Sequence, residues 1–340
     1  MPEEKEVTIS DIAQFLKIST ATISRALRDS YEISVPIKTL IAQTAKQMGY
    51  RSNSSASTLR TGKINLLGIL VGNMMEKDNY EVLSAIETIT TENGYALLVK
   101  QSLGSRKKEI ENANYLLRKV AGLIMLDTCY TGKSLHLDQF IKRKVPVVFI
   151  NQQESPSQCS SVSINFKQAT FDAVAHLADQ GSTHIAAAFS SKSKAVFNAC
   201  VEGYKDALLY HHLPYNHNLI LNSKFGANEG HILAENLLSQ PQIPDGIFIP
   251  DDITAIHFMR TMIQHGIKVP LDIAIVGLGN NQLSSMIQPK LSSIGFKNSQ
   301  IGTHAAGILM SSLKNKPEYP EHSLDFQGHE LMIRCSSYRL

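Results

Sequence analysis

The sequence predicts an α/β protein. An N-terminal all-α helix-turn-helix head precedes a two-lobed body of two doubly wound parallel sheets. Three observations carry this. Before residue 50, apolar residues recur at helical spacing in three short segments. Beyond Ile64, near-continuous apolar runs alternate with helix-period stretches, the pattern of parallel strands covered on both faces. That alternation then repeats once, giving two units of about 100–130 residues.

The head comes first. Ser10 is a good N-cap for a helix carrying Ile12, Ala13, Phe15 and Leu16 on one side. Ser19 caps a second helix with Ile23, Ala26 and Leu27, and only Lys17 and Ile18 lie between the two, the length of a helix-turn-helix turn. The third follows Ser34, with Pro36 in its first turn, apolar residues at Ile37, Leu40, Ile41, Ala45 and Met48, and Gly49 as a left-handed stop. Packing these around one core leaves Thr20, Ala21, Thr22, Ser24, Arg25 and Arg28 on the free face of the second helix. Small hydroxyl side chains there allow close approach to a duplex, and Arg25 can bond a base edge or a phosphate. A solvated helical bundle with incidental basic residues is the plainer alternative.

Charge separates head from body. Residues 1–63 hold nine Lys/Arg against six Asp/Glu, and the remaining residues hold 24 against 24, so the formal +3 belongs to the head. The cysteines Cys129, Cys159, Cys200 and Cys335 are scattered without metal-ligand spacing, which fits a reducing cytosol. The polar start MPEEKEVTISD is no signal peptide, and no apolar run reaches the about 18 residues a membrane span needs. Between head and body, RSNSSASTLRTGK has little to bury. Asn53 can cap a short helix that shows Ala56 and Leu59 on one side. A segment that folds only on a partner and a flexible tether both fit this composition.

In the body, strands are expected at 65–72, 95–100, 122–127 and 146–150, with helices at 80–92, 105–119 and 135–143 between them. The second unit repeats this with strands at 162–164, 184–189, 218–221, 246–249 and 272–279. Its helices are expected at 166–180, 195–210, 226–238 and 252–266. A further strand (LSSIGF), a helix at 299–312 and a strand-rich tail follow. Ligands of such units bind outside the carboxyl ends of the strands, here in the cleft between lobes.

At this point a resemblance becomes specific. The chain resembles transcription regulators of the lac-repressor family from Val7 to Arg339. In the head VTISDIA, STATISRAL and MGYRSNSSASTLRTG carry the likeness, and in the body PDGIFIPDDITAI, GIKVPLDIAIVGLGNN, PKLSSIGF and HELMIRCSS. It implies a periplasmic-binding-protein-like body, a homodimer, a pseudo-palindromic double-stranded DNA operator, a small-molecule effector such as a sugar or polyol, and no cofactor or enzymatic activity. It places Thr20, Ala21 and Arg25 at base-reading positions, and Thr8, Ser19, Thr22, Ser24 and Arg28 at phosphate or flanking contacts. Asn53, Ala56 and Leu59 fall on a hinge helix, with Leu59 as a minor-groove wedge. The domains implied are 1–50 (head), 51–63 (hinge), 64–163 with 291–322 (first lobe) and 164–290 with 323–340 (second lobe).

Departures from the family pattern bear on the effector. The aromatic pair after the first strand is replaced by Glu76–Asn79, leaving Tyr80 as the nearby aromatic. Cys200 stands where an effector-binding Arg is common, and Asp251–Asp252 replaces the usual Asn-Asp pair, with Asn280 following. These five residues, Tyr80, Cys200, Asp251, Asp252 and Asn280, are the candidate effector contacts. N-capping alone is the competing account of the two aspartates. A cleft with acids and no Arg suits a neutral polyol or a base-like ligand; a partner protein acting on a degenerate cleft, and an exported solute receptor, are the other readings. In the head, Lys17 replaces a turn Gly, and Ser52 and Ser57 replace a hinge Pro and Arg. The His211–His212–His217 group and GLGNN lack the spacing of metal and dinucleotide sites.

Overall fold

The computed structural model describes residues 7–27, 29–50, 64–74, 79–126, 135–151, 158–191, 193–315, 323–326 and 328–339. They form two compact units, Met1–Ile64 and Asn65–Leu340.

The head holds α1 (Ile9–Leu16), α2 (Thr20–Ala26) and α3 (Val35–Gln47) around buried Ile12, Ala13, Ile23, Ala26, Ile41 and Ala45. Its first helix starts earlier than the expected cap at Ser10. Thr8 is the N-cap: Asp11 N–H donates to Thr8 Oγ1 at 3.4 Å, and Thr8 N–H donates back to Asp11 Oδ2 at 2.7 Å. This reciprocal box satisfies two orphan donors and sets a carboxylate on the positive helix end, which outcompetes the lone Ser10 hydroxyl. Lys17 ends α1 at φ 54°, a left-handed conformation that costs a residue with a Cβ about 1 kcal/mol. The hinge positions Asn53, Ala56 and Leu59, together with Arg28, lie outside the described residues.

The body builds two six-stranded sheets. The first contains β1 (Leu66–Val71), β2 (Ala96–Gln101), β3 (Leu123–Leu126), β4 (Val147–Ile150), β5 (Ser160–Ile164) and β11 (Ser323–Phe326). They lie in the order β11-β5-β4-β3-β1-β2, every pair parallel. Helices α4 (Asn79–Glu92) and α12 (Asn298–Asn315) cover one face through Val82, Ile86, Ile301 and Leu309. Helices α5 (Arg106–Leu116) and α6 (Leu135–Lys142) cover the other through Ala113, Leu116, Leu137 and Phe140. Strands β3 and β4 are buried throughout, which is why they read as unbroken apolar runs.

The second sheet contains β6 (Ile185–Phe189), β7 (Ile220–Asn222), β8 (Gly246–Ile249), β9 (Ala274–Leu278), β10 (Ser292–Phe296) and β12 (His329–Met332), in the order β12-β10-β9-β8-β6-β7. Only β12 is antiparallel. Helices α7 (Phe166–Asp179), α8 (Lys194–Tyr210), α9 (Ala227–Leu238) and α10 (Asp252–Gln264) cover it, and a short α11 (Gln282–Met286) precedes β10. Close packing of α8 on α7 needs Gly203, since a Cβ there would lie 2.1 Å from the Lys167 carbonyl oxygen.

Two expected lobe assignments are corrected by strand pairing. β10 was expected in the first lobe but pairs with β9, Ser292 opposite Val276, and so completes the second sheet. β11 was expected in the second lobe but pairs with β5, Leu324 opposite Val162, and completes the first. The β11–β5 pairing spans more than 150 residues and leaves no local trace in sequence, whereas β10 pairs with the strand just before it in the chain. The chain therefore passes between sheets after β5, after β10 and after β11. These passages leave from strand carboxyl ends and lie side by side: Asn165 N–H donates to the Phe326 carbonyl at 3.4 Å, and Lys297 N–H to that of Gly328 at 3.1 Å. Phe166 meets Phe296 edge-on at 6.2 Å between ring centroids.

The tail locks the second sheet. Ser336 Oγ donates to the Ile275 carbonyl at 2.6 Å, Ser337 Oγ donates to Ser292 Oγ at 2.6 Å, and Ser337 Oγ lies 2.7 Å from His176 Nε2. Burial outweighs nearby Asp179 and pushes the His176 imidazole below its usual pKa.

Candidate functional site

Helix α2 carries the residues expected to read DNA. Its apolar Ile23 and Ala26 are buried, which turns the opposite side outward. Thr20, Ala21 and Arg25 are exposed there. Ser19 Oγ accepts the Thr22 N–H at 3.1 Å and lies 2.8 Å from Thr22 Oγ1, so both hydroxyls help start the helix. Ser24 departs from the expected free face: it is 4 % exposed, next to buried Ile23, whereas Leu27, expected in the core, is 37 % exposed. A phosphate cannot reach it without moving the helix. Arg25 Nη1 lies 3.3 Å from Glu32 Oε2, with both side chains about half exposed. Sequence reading did not find this acid partner. Exposed Thr8 lies at the start of α1, and its hydroxyl donates to Asp11 Oδ2 at 2.7 Å.

Lys38 Nζ sits 2.7 Å from Asp29 Oδ1 and holds that carboxyl below its usual pKa. It also donates to the Asp29 carbonyl at 3.2 Å, tying α3 to the turn after α2.

In the body, the passages after β5, β10 and β11 all leave from carboxyl strand ends. The two sheets are thus joined at carboxyl strand ends, the side on which doubly wound folds hold ligands. The five candidate contacts differ sharply in what they offer there. Tyr80, at the start of α4, is 63 % exposed, with its hydroxyl donating to Glu81 Oε1 at 3.0 Å. Cys200 is 3 % exposed within the α7–α8 core, and burial pushes its thiol up to about 11. That environment makes it a small core hydrophobe rather than a polar contact.

Asp251 Oδ1 caps α10, accepting the Thr254 N–H at 2.7 Å and the Thr254 hydroxyl at 2.5 Å. Asp252 is 1 % exposed and already satisfied. Its Oδ2 accepts from Asn281 N–H at 2.6 Å and Ser284 Oγ at 2.7 Å, and its Oδ1 from Ser293 Oγ at 2.7 Å. Gly277 makes room: a Cβ there would stand 2.3 Å from Asp252 Oδ1. Asp252 therefore shapes the loop after β9, and Asp251 keeps one oxygen beyond the cap. Asn280 adopts φ 48°, and its Oδ1 accepts from Arg334 Nη2 at 2.6 Å. Arg334 also donates to the Leu291 carbonyl at 2.6 Å, which fixes the guanidinium in place.

Asn151 was missed by the sequence reading, which ended its strand at Ile150. It sits at the carboxyl end of β4 at φ 59°, with a buried Oδ1 that accepts no hydrogen bond among the described residues. A polar residue closing an apolar strand was the available signal. Among the described residues no group of three or more His, Cys, Asp or Glu could hold a metal, and no helix is long and apolar enough to cross a membrane.

Comparison with known proteins gives this geometry a context. Residues 8–53 match the family of bacterial regulatory proteins, lacI family, and residues 174–337 match the periplasmic binding protein-like domain. The chain is 31% identical over 333 residues to the catabolite control protein A of Priestia megaterium, covering 97% of this chain and 99% of that protein. It is 24% identical over 336 residues to the HTH-type transcriptional repressor PurR of Vibrio campbellii, covering 98% and 99%. Among solved structures, the lac repressor dimer bound to operator and the anti-inducer ONPF superposes with a TM-score of 0.83 at 19% identity, covering 98% of this chain and 100% of that one. The transcriptional regulator CelR in complex with cellobiose gives 0.70 at 20% identity, covering 97% and 100%.

Proposed function

This chain belongs to the lacI family of bacterial regulatory proteins, and on that premise we propose that it is a homodimeric repressor released or tightened by a neutral, hydroxyl-bearing effector. That it is a DNA-binding transcription regulator with an effector-binding body follows from the family. Sequence preference then rests on α2. Thr20, Ala21 and Arg25 are the outward residues, and Arg25 is the one long donor among them, suited to a guanine edge in the major groove. This outward trio is the observation that carries the reading.

The effector class follows from what the cleft lacks. Among the described candidates no guanidinium is free for an anion, since Arg334 is tied to Asn280 and Leu291. Asp251 and the unpartnered Asn151 Oδ1 both accept hydrogen bonds, so a ligand rich in O–H or N–H donors fits. Closing the lobes about the passages after β5, β10 and β11 is a hinge motion that a ligand in the cleft biases by its differential affinity. A second copy of the chain has exposed Leu283 and Met286 on α11 to cover.

The test is selection of bound duplexes from a random pool by the full chain, followed by anisotropy titration of the winner. A pseudo-palindromic consensus bound at least about 1000-fold tighter than random DNA supports the reading. No enrichment over the input pool overturns it.

A further inference from the structure

The body carries a charge feature that the head does not explain. Strands β1, β3 and β4 begin side by side: Ala121 N–H donates to the Leu66 carbonyl at 2.8 Å and Leu123 N–H to that of Pro146 at 2.9 Å. The turns leading into this amino edge follow the ends of α5 and α6. They present exposed Arg118 and Lys119 before β3, and exposed Lys142, Arg143 and Lys144 before β4. None of the five makes an ion pair among the described residues. Lys119 Nζ lies 4.0 Å from the Tyr115 ring centroid, which holds this cation beside the end of α5. A helix dipole favours a cation near each helix end. It does not call for five at one edge, where Glu92 is the one acid in the described approach turns to β2, β3 and β4.

This is also the edge at which the chain enters the body, since Asn65 leads directly into β1. In sequence, this edge is the part of the body that directly follows the head.

We propose that the amino edge of the first sheet, through Arg118, Lys119, Lys142, Arg143 and Lys144, is a second DNA-contacting surface that binds the phosphate backbone without reading sequence. The inference rests on the DNA-binding reading given above. Phosphate is the matching occupant because the five groups are flexible, exposed and uniformly cationic, and no apolar groove or acceptor lies among them to select a base.

The experiment compares three full-length proteins on a 40-bp random-sequence duplex across a salt series. One is the wild type. The second replaces the edge: Arg118→Gln, Lys119→Gln, Lys142→Gln, Arg143→Gln and Lys144→Gln. The third removes the same charge elsewhere, by Lys194→Gln, Lys205→Gln, Lys224→Gln, Lys268→Gln and Lys290→Gln. Thermal melts verify that all three fold. The edge variant is expected to bind roughly 10–100-fold more weakly at about 0.1 M salt. Its slope of log affinity against log salt should be shallower by about 0.9 for each lost phosphate contact, with the control near wild type. Equal behaviour of the edge variant and wild type overturns the inference and leaves an acidic protein as occupant. Equal weakening of edge variant and control overturns it as a bulk-charge effect. Failure of the wild type to bind any duplex overturns both this inference and the reading beneath it.

Discussion

Arg25 faces a choice of partners. In the free chain its guanidinium is 3.3 Å from the Glu32 carboxylate, and a DNA base edge must displace that acid. Both groups are half exposed, so the ion pair is weakly held and the exchange costs little. Arg25→Ala is expected to weaken operator binding by roughly 1–3 kcal/mol and to broaden the selected consensus. Glu32→Gln should tighten binding modestly, by removing both competitor and local negative charge. Anisotropy titrations read both; an Arg25→Ala variant that keeps affinity and consensus removes the base-reading role. The cysteines give a second check at this scale. Cys159 and Cys200 are buried, with thiols pushed up to about 12 and about 11, whereas Cys335 is exposed. Iodoacetamide at neutral pH should label Cys335 within minutes and leave Cys159 and Cys200 until denaturant is added, as peptide mass mapping would show; Cys129 lies outside the described residues.

At the scale of the element, the loop after β9 is the informative one. Three donors converge on Asp252 at 1 % exposure. Asp252→Ala leaves the Ser284 and Ser293 hydroxyls and the Asn281 N–H unpaired, at about 2–4 kcal/mol. The melting temperature should fall by at least about 5 °C for a unit of this size. Asp251→Asn retains an oxygen for the α10 cap and should leave the melting temperature within about 2 °C while weakening effector binding. A stable Asp252→Ala protein would contradict the loop-shaping role. The contrast shows what was legible in the sequence and what was not. Unbroken runs such as 246–249 announced buried strands, and α2's spacing announced its core residues, because both signals are periodic and local. The β5 neighbour of β11 and the clamp on Asp252 join residues far apart in the chain, and the Arg25–Glu32 pair joins two residues across an irregular turn, so no periodic pattern carries any of them. Ser24 was placed on the free face by helical spacing and Cys200 in the cleft by a family pattern, and burial reassigns both to the core. At Lys17 the departure from glycine is borne by the backbone itself, at φ 54°. Lys17→Gly should raise head stability by up to about 1 kcal/mol, measured by chemical denaturation.

The whole molecule couples a duplex reader to a cleft. Ligands that bind only the folded body stabilise it by mass action, so a thermal-shift screen of the full chain against sugars, polyols and nucleobases should return a donor-rich, uncharged hit. At 100 times its Kd such a ligand adds about 2.7 kcal/mol. A screen in which only anionic compounds shift the transition would contradict the neutral-effector reading. The order in which the strands are made has a further consequence. Each sheet receives an outermost strand, β11 for one and β12 for the other, only after all its other strands have been made, and Ser336 and Ser337 seal the second sheet from still later positions. Neither lobe can therefore finish assembling until these strands have left the ribosome, and a stop codon between β10 and β11 leaves two open-edged halves rather than one sound lobe.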